Sequence, residues 1–176
     1  MDAIGIEIDE PSENNGMIYD SLILVKYGKW FDFQASVNIK LKEGKSGGIA
    51  FRIQDEFNFY ALELKQNLLS LYLIKSGVHT LLTKFKNSSI QSNTWYKLLV
   101  ICKLRNIEIT VYSNSNEIAS LSAINSSITA GSIGVFSSHS TFAFDSLNIK
   151  SFPCSSSKSN YLSQTSPSFQ ANYSSQ

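Results

Sequence analysis

Residues able to do chemistry gather in one short stretch. Positions 47–65 read GGIAFRIQDEFNFYALELK and place Arg52, Gln54, Asp55, Glu56, Asn58, Tyr60 and Glu63 close together. An arginine fork offers paired donors to sugar hydroxyls or to a carboxylate. A tyrosine offers an apolar face for a sugar ring and a hydroxyl beside it. Arg52, Gln54 and Glu63, with Tyr60 or Tyr72 as a platform, therefore form a candidate ligand-binding set. Each has a structural alternative. Arg52 could pair with Glu63 across neighbouring strands, and strand tyrosines often pack in a core. Glycoside hydrolysis needs two carboxyl groups about 5–10 Å apart. Asp55, Glu56 and Glu63 are the central acidic cluster, but Asp55 and Glu56 are neighbours in a turn, where solvated acids are ordinary. No catalytic residue is assigned. Asp55 and Asn58 suit a turn held by side-chain-to-backbone bonds. They supply only two of the several oxygens that calcium requires, so no cofactor is expected.

Other chemistries lack their residues. There is no glycine-rich phosphate loop, nucleophile elbow or Ser/His/Asp constellation. The chain has two histidines, His79 and His139, and two cysteines, Cys102 and Cys154, with none of the spacings of a zinc site. Cys102 lies in an apolar run and is read as a buried, inert thiol, with a single late disulfide to Cys154 as the alternative. With 16% charged residues and a formal net charge of +1, the chain lacks the basic excess of nucleic-acid binders and the polybasic clusters of peripheral membrane proteins. No apolar run approaches the roughly 20 residues that span a bilayer. The acidic start MDAIGIEIDEPSENNG has no signal-peptide layout. Read literally from Met1 the protein is cytoplasmic; read as a piece of a longer chain it is secreted or on the cell surface. The sequons at Asn87, Asn125 and Asn172 fit the second case.

The elements that must position these residues are strands. FDFQASVNIKL (31–41) alternates Phe31, Phe33, Ala35, Val37, Ile39 and Leu41 against polar residues, the period-two pattern of a strand with one wet face. IAFRIQ (49–54) alternates likewise, which sends Arg52 and Gln54 to the non-core side. Further runs follow at 59–65, 68–75, 78–85, 94–104, 107–113, 118–123, 130–138 and 141–152. They are separated by QN, SG, the loop KNSSIQSN, a hairpin turn at RN (105–106) and NSNE. LLSLYLI and KLLVIC are apolar on both parities and suit central strands. With 17–27 these make about eleven strands and no helix, too many for one open sheet. Trp30 and Trp95 sit at strand starts and are expected in the core. Residues 153–176, rich in Ser, Asn and Gln, are expected to form a disordered tail after a domain spanning 1–152.

Read in order, these segments resemble a known superfamily. The step GI-x-FR-x-x-D-x-x-N-x-Y falls on Gly48, Phe51, Arg52, Asp55, Asn58 and Tyr60, following Trp30. A W-Y strand falls on Trp95 and Tyr96, and a closing glycine-and-FD pair on Gly131, Gly134, Phe144, Asp145 and Ile149. The pattern resembles the concanavalin A-like lectin/glucanase superfamily and, within it, laminin-G-like domains related to the 3-keto-disaccharide hydrolase group. The resemblance implies an all-β jelly-roll sandwich of two antiparallel sheets, with the arginine on a concave face near a ligand. It also implies an earlier strand, for which only AIGIEIDE is present, so the domain is expected to start late. The expectation is a non-catalytic carbohydrate-binding or adhesion module of a larger extracellular protein, with a carbohydrate, glycoprotein or protein partner. The alternatives are a hydrolase of modified disaccharides and a ligand-free structural domain.

Overall fold

The computed structural model describes residues 21–24, 28–43, 46–138 and 141–152; the expected tail, Cys154, His139 and Asn172 lie outside the described residues. The strands are β1 (Ser21–Leu24), β2 (Phe33–Glu43), β3 (Ser46–Asp55), β4 (Asn58–Lys65), β5 (Leu68–Lys75), β6 (Val78–Lys86), β7 (Trp95–Lys103), β8 (Asn106–Ser113), β9 (Asn116–Ile124), β10 (Ser132–Ser138) and β11 (Thr141–Ser151). They form a six-stranded sheet in the order β1-β10-β3-β4-β5-β6 and a five-stranded sheet in the order β11-β2-β7-β8-β9, all pairs antiparallel. Two such sheets, each with an apolar inner face, bury that face only by packing on one another. The result is the all-β jelly-roll sandwich that the resemblance implied.

Alternation supplies the core. Phe33, Ala35, Val37 and Ile39 of β2 and Tyr96, Leu98, Val100 and Cys102 of β7 face Ile49, Phe51, Tyr60, Leu62, Leu71 and Leu73 of the other sheet. At its centre Phe33 meets Phe51 edge-on at 6.2 Å and Phe51 stacks on Tyr60 at 5.4 Å, pairs worth about 0.5–1.5 kcal/mol each beyond their area. The pattern fails at Phe31, which is 59% exposed because β2 begins only at Phe33. It fails again in the β7–β8 hairpin, where the turn residues are Leu104 and Arg105 rather than Arg105 and Asn106, since Lys103 pairs with Asn106.

The third failure is at Arg52. Its φ is +52°, in the left-handed region, and the register of β3 shifts there against β4 and against β10. A bulge of this kind adds one residue and re-aims the side chains on either side. Phe51 stays in the inter-sheet core, while Ile53 joins Ala50, Phe59, Ala61, Ile74 and Phe136 in a second buried cluster on the outer face of the six-stranded sheet. Gly131 passes hard against the bulge: a Cβ there would lie 2.4 Å from the Arg52 carbonyl carbon and 2.5 Å from the Ile53 oxygen. Only glycine tolerates that approach.

Candidate functional site

The proposed ligand set does not converge. Arg52 is fully buried, against the expectation that it leaves the core. Its guanidinium donates to the carbonyls of Ile128 (3.2 Å), Phe31 (3.2 Å) and Leu104 (2.7 Å), tying three separate loops together at one end of the sandwich. The alternative pairing with Glu63 also fails to form, because Glu63 stands opposite Gly48 and Ser70. Tyr60 is likewise fully buried; its hydroxyl donates to Asn125 Oδ1 (2.7 Å) and accepts from the Ile128 amide (3.3 Å). Burial pushes its pKa above the usual phenol value. Gln54 is exposed at the end of β3. Tyr72 and Glu63 share the outer face of the six-stranded sheet, with Ala61 opposite Tyr72 and Ser70 opposite Glu63. Burial lowers the pKa of His79 on the adjoining strand, an effect the Glu63 carboxylate partly offsets.

The turn residues do what the sequence suggested. Asn58 Nδ2 donates to both Asp55 oxygens (2.8 and 2.9 Å), the Phe57 amide donates to Asp55 Oδ1 (2.8 Å), and Asn58 Oδ1 accepts from the Ser76 amide (3.0 Å). Cys102 is a free, buried thiol whose pKa burial pushes up to about 12. Two sequon asparagines have structural tasks: Asn87 Nδ2 donates to the Ile118 carbonyl, and Asn125 Oδ1 accepts from Tyr60 and from the Ser127 amide. Among the described residues no group of three or more His, Cys, Asp or Glu side chains converges as a metal site would require.

A different constellation stands on the outer face of the five-stranded sheet. The register places Asp145 opposite Asn38, Asn38 opposite Lys97, and Lys97 opposite Tyr112, a row that runs across β11, β2, β7 and β8. At about 4.8 Å between neighbouring strands, Asp145 and Tyr112 are about 14 Å apart along the sheet. Trp95, one pleat along β7 from Lys97, is 46% exposed. Trp95, Lys97, Tyr112, Asn38 and Asp145, with Asn114 at the β8–β9 turn, line an open cleft of about 580 Å³. An exposed indole with a phenol, an amide, a carboxylate and an ammonium around it combines an apolar platform with polar groups.

Local sequence explains the row. On β7 the residues Tyr96, Leu98, Val100 and Cys102 face the core, so Trp95 and Lys97 must face out. On β11 Ser146 has φ +56° and the register shifts between Asp145 and Asn148, so Phe144 and Leu147 both pack on the core while Asp145 stays on the outer face. The expectation of a core Trp95 is corrected by this parity. The signal was present in TWYKLLVIC, but a strand whose outward Leu99 and Ile101 are also half-buried hides which parity faces in. Trp30 does pack against the core.

No protein-family model matches the sequence, and no curated protein matches it. Solved structures do. The carbohydrate-binding module CBM66 from Bacillus subtilis superposes with a TM-score of 0.68 at 19% identity, covering 84% of this chain and 95% of that one. CG-16, a homodimeric agglutinin from chicken liver, gives 0.60 at 9% identity over 74% of this chain and all of that one. Chicken Galectin 2 gives 0.54 at 6% identity over 76% of this chain and 98% of that one. The chain has the concanavalin A-like, lectin-type sandwich fold. At these identities the likeness is one of fold.

Proposed function

We propose that this protein is a non-catalytic carbohydrate-binding module, part of a longer extracellular protein, and that it binds sugar on the outer face of its five-stranded sheet. The observation that carries the reading is the exposed Trp95 beside the cross-strand row Asp145–Asn38–Lys97–Tyr112. A sugar ring would lay its apolar face on the indole, with its hydroxyls bonded by the Asn38 amide, the Asp145 carboxylate and the Lys97 ammonium. Such groups suit neutral or mildly charged hydroxyl-rich ligands. The open cleft suits a chain passing through rather than an enclosed terminal residue. The sandwich fold shared with a carbohydrate-binding module and an agglutinin supports the same class of ligand.

The test is a glycan-array screen of the full chain, repeated with Trp95→Ala and, as a control on the other sheet, Tyr72→Ala. Binding weakened about tenfold by Trp95→Ala and kept by Tyr72→Ala is the expected result. Binding lost only with Tyr72→Ala would move the site to the six-stranded face. Release of reducing sugar from a bound glycan would replace a binding module with a hydrolase.

A further inference from the structure

One end of the sandwich displays apolar side chains that the fold does not use. It is the end where β2, β4, β6, β8 and β10 begin. Of the eight large apolar residues that are exposed among the described residues, five lie here: Phe31 (59%), Phe57 (47%), Val78 (64%), Leu104 (77%) and Ile124 (71%). Each sits on a different loop, turn or strand end, so no single hydrophobic run in the sequence announces them. Isolated exposed apolar residues are ordinary, but two of these five, Phe31 and Leu104, line one cleft.

Leu104 is the most telling of them. It occupies a two-residue hairpin turn at φ +53°, where glycine or asparagine is cheap and a leucine is strained. Both of its backbone groups are clamped. Its amide donates to Asp32 Oδ1 at 2.7 Å, and its carbonyl accepts from the buried Arg52 guanidinium, which holds the Phe31 carbonyl as well. The backbone at Phe31 and Leu104 is thereby held in place, and both residues line a cleft of about 720 Å³ together with Trp30 and Phe152. Lys29 and Arg105 also line it, and the Lys103 ammonium lies 4.6 Å above the Phe152 ring. The acidic group at the cleft is Asp32, already engaged with the Leu104 amide.

We propose that this end cleft, separate from the Trp95 face, binds a small anionic amphiphile. The apolar body lies between Phe31 and Leu104 on Trp30 and Phe152, and the negatively charged head is held by Arg105 and Lys29. The cleft has the size and mainly apolar lining of small-molecule sites. Two lining cations, Lys29 and Arg105, against one hydrogen-bonded carboxylate set the sign of the head group. The long apolar stems of Lys29 and Arg105 add to the lining.

The experiment is a calorimetric titration of the full chain with decyl phosphate below its critical micelle concentration. Saturable one-to-one binding is expected. Leu104→Gly removes the apolar wall and relieves the left-handed strain, so the fold is kept; binding should weaken about tenfold or more, the loss expected for a leucine-sized apolar contact. Arg105→Glu should weaken decyl phosphate much more than uncharged 1-decanol. Glycan binding at the Trp95 face should be the same in both variants. Absence of saturable binding, or binding unchanged in Leu104→Gly, overturns the proposal. Attachment to phosphatidylserine-containing vesicles without binding of monomeric decyl phosphate also overturns it, in favour of a membrane-docking surface.

Discussion

The outer faces of the two sheets are built on opposite plans. On the six-stranded sheet the central positions are small, with Ala50 and Ala61 buried among Phe59, Ile74 and Phe136, and Ser70 buried as well. Its outward strands are therefore apolar on both parities, as β3, β4 and β5 are in sequence. On the five-stranded sheet Leu99 and Ile101 are half-buried on the outer face of β7, but long polar or aromatic side chains stay open beside them: Trp95 and Lys97 on β7, Asn106 and Glu108 on β8. Burial on both faces of its central strands leaves the first sheet less with which to recognise a ligand. The second sheet has one face left over for binding, and its cross-strand register sets side chains from four strands side by side.

The largest effect that would sharpen this contrast comes from Arg52, which belongs to neither outer face. Arg52→Met should leave the Ile128, Phe31 and Leu104 carbonyls without their buried donor. The expected loss is about 3 kcal/mol or more, since each unsatisfied buried group costs about 1–3 kcal/mol. Urea denaturation measures it directly. Arg52→Lys should restore little, because an ammonium cannot reproduce a planar fork that spans three carbonyls. A stable Arg52→Met protein that has lost glycan binding would return Arg52 to a ligand site and break the comparison.

The next effect separates the two faces. Trp95→Ala should weaken glycan binding about tenfold, the scale of one lost aromatic platform at about 1–2 kcal/mol, with the urea midpoint unchanged. Tyr72→Ala should do the reverse, lowering stability by about 1 kcal/mol through lost packing on the Phe59 and Ile74 cluster and leaving affinity alone. Smaller again are Asn38→Ala and Lys97→Ala. Each removes one polar contact of the row, and each should reduce affinity several-fold, in line with about 0.5–1.5 kcal/mol for a hydrogen bond. Titration of the best array ligand against each variant decides the ranking.

How much of this was legible follows from what alternation encodes. Period two in FDFQASVNIKL and the turn pairs QN and SG led to eleven strands and a sandwich, because a pleat must put every second residue on one face. The turn held by Asp55 and Asn58 was legible for the same local reason. Arg52 was not. A one-residue bulge inverts every inference downstream of it, and nothing in AFRIQ marks where φ turns positive. The Asp145–Asn38–Lys97–Tyr112 row was hidden differently, since its members are far apart in sequence and meet only through register. Local chemistry is readable from a strand, whereas juxtaposition across strands is not.

The smallest effect tests whether the six-stranded outer face is as dry as its packing implies. Burial holds the His79 pKa below its ordinary 6.5, so between 6.5 and the lowered value the unfolded chain binds the proton that the folded chain refuses. Stability is then complete above pH 6.5 and falls as the pH drops through that window. His79→Gln should flatten this acid limb in urea midpoints measured from pH 7.5 to 5, and should leave the midpoint at pH 7.5 nearly unchanged. The Glu63 carboxylate works against the shift and limits its size, so Glu63→Gln should steepen the limb. If acidification leaves the wild-type midpoint flat while Glu63→Gln also has no effect, His79 is solvated, and the six-stranded face is open enough to compete with the Trp95 face as a binding surface.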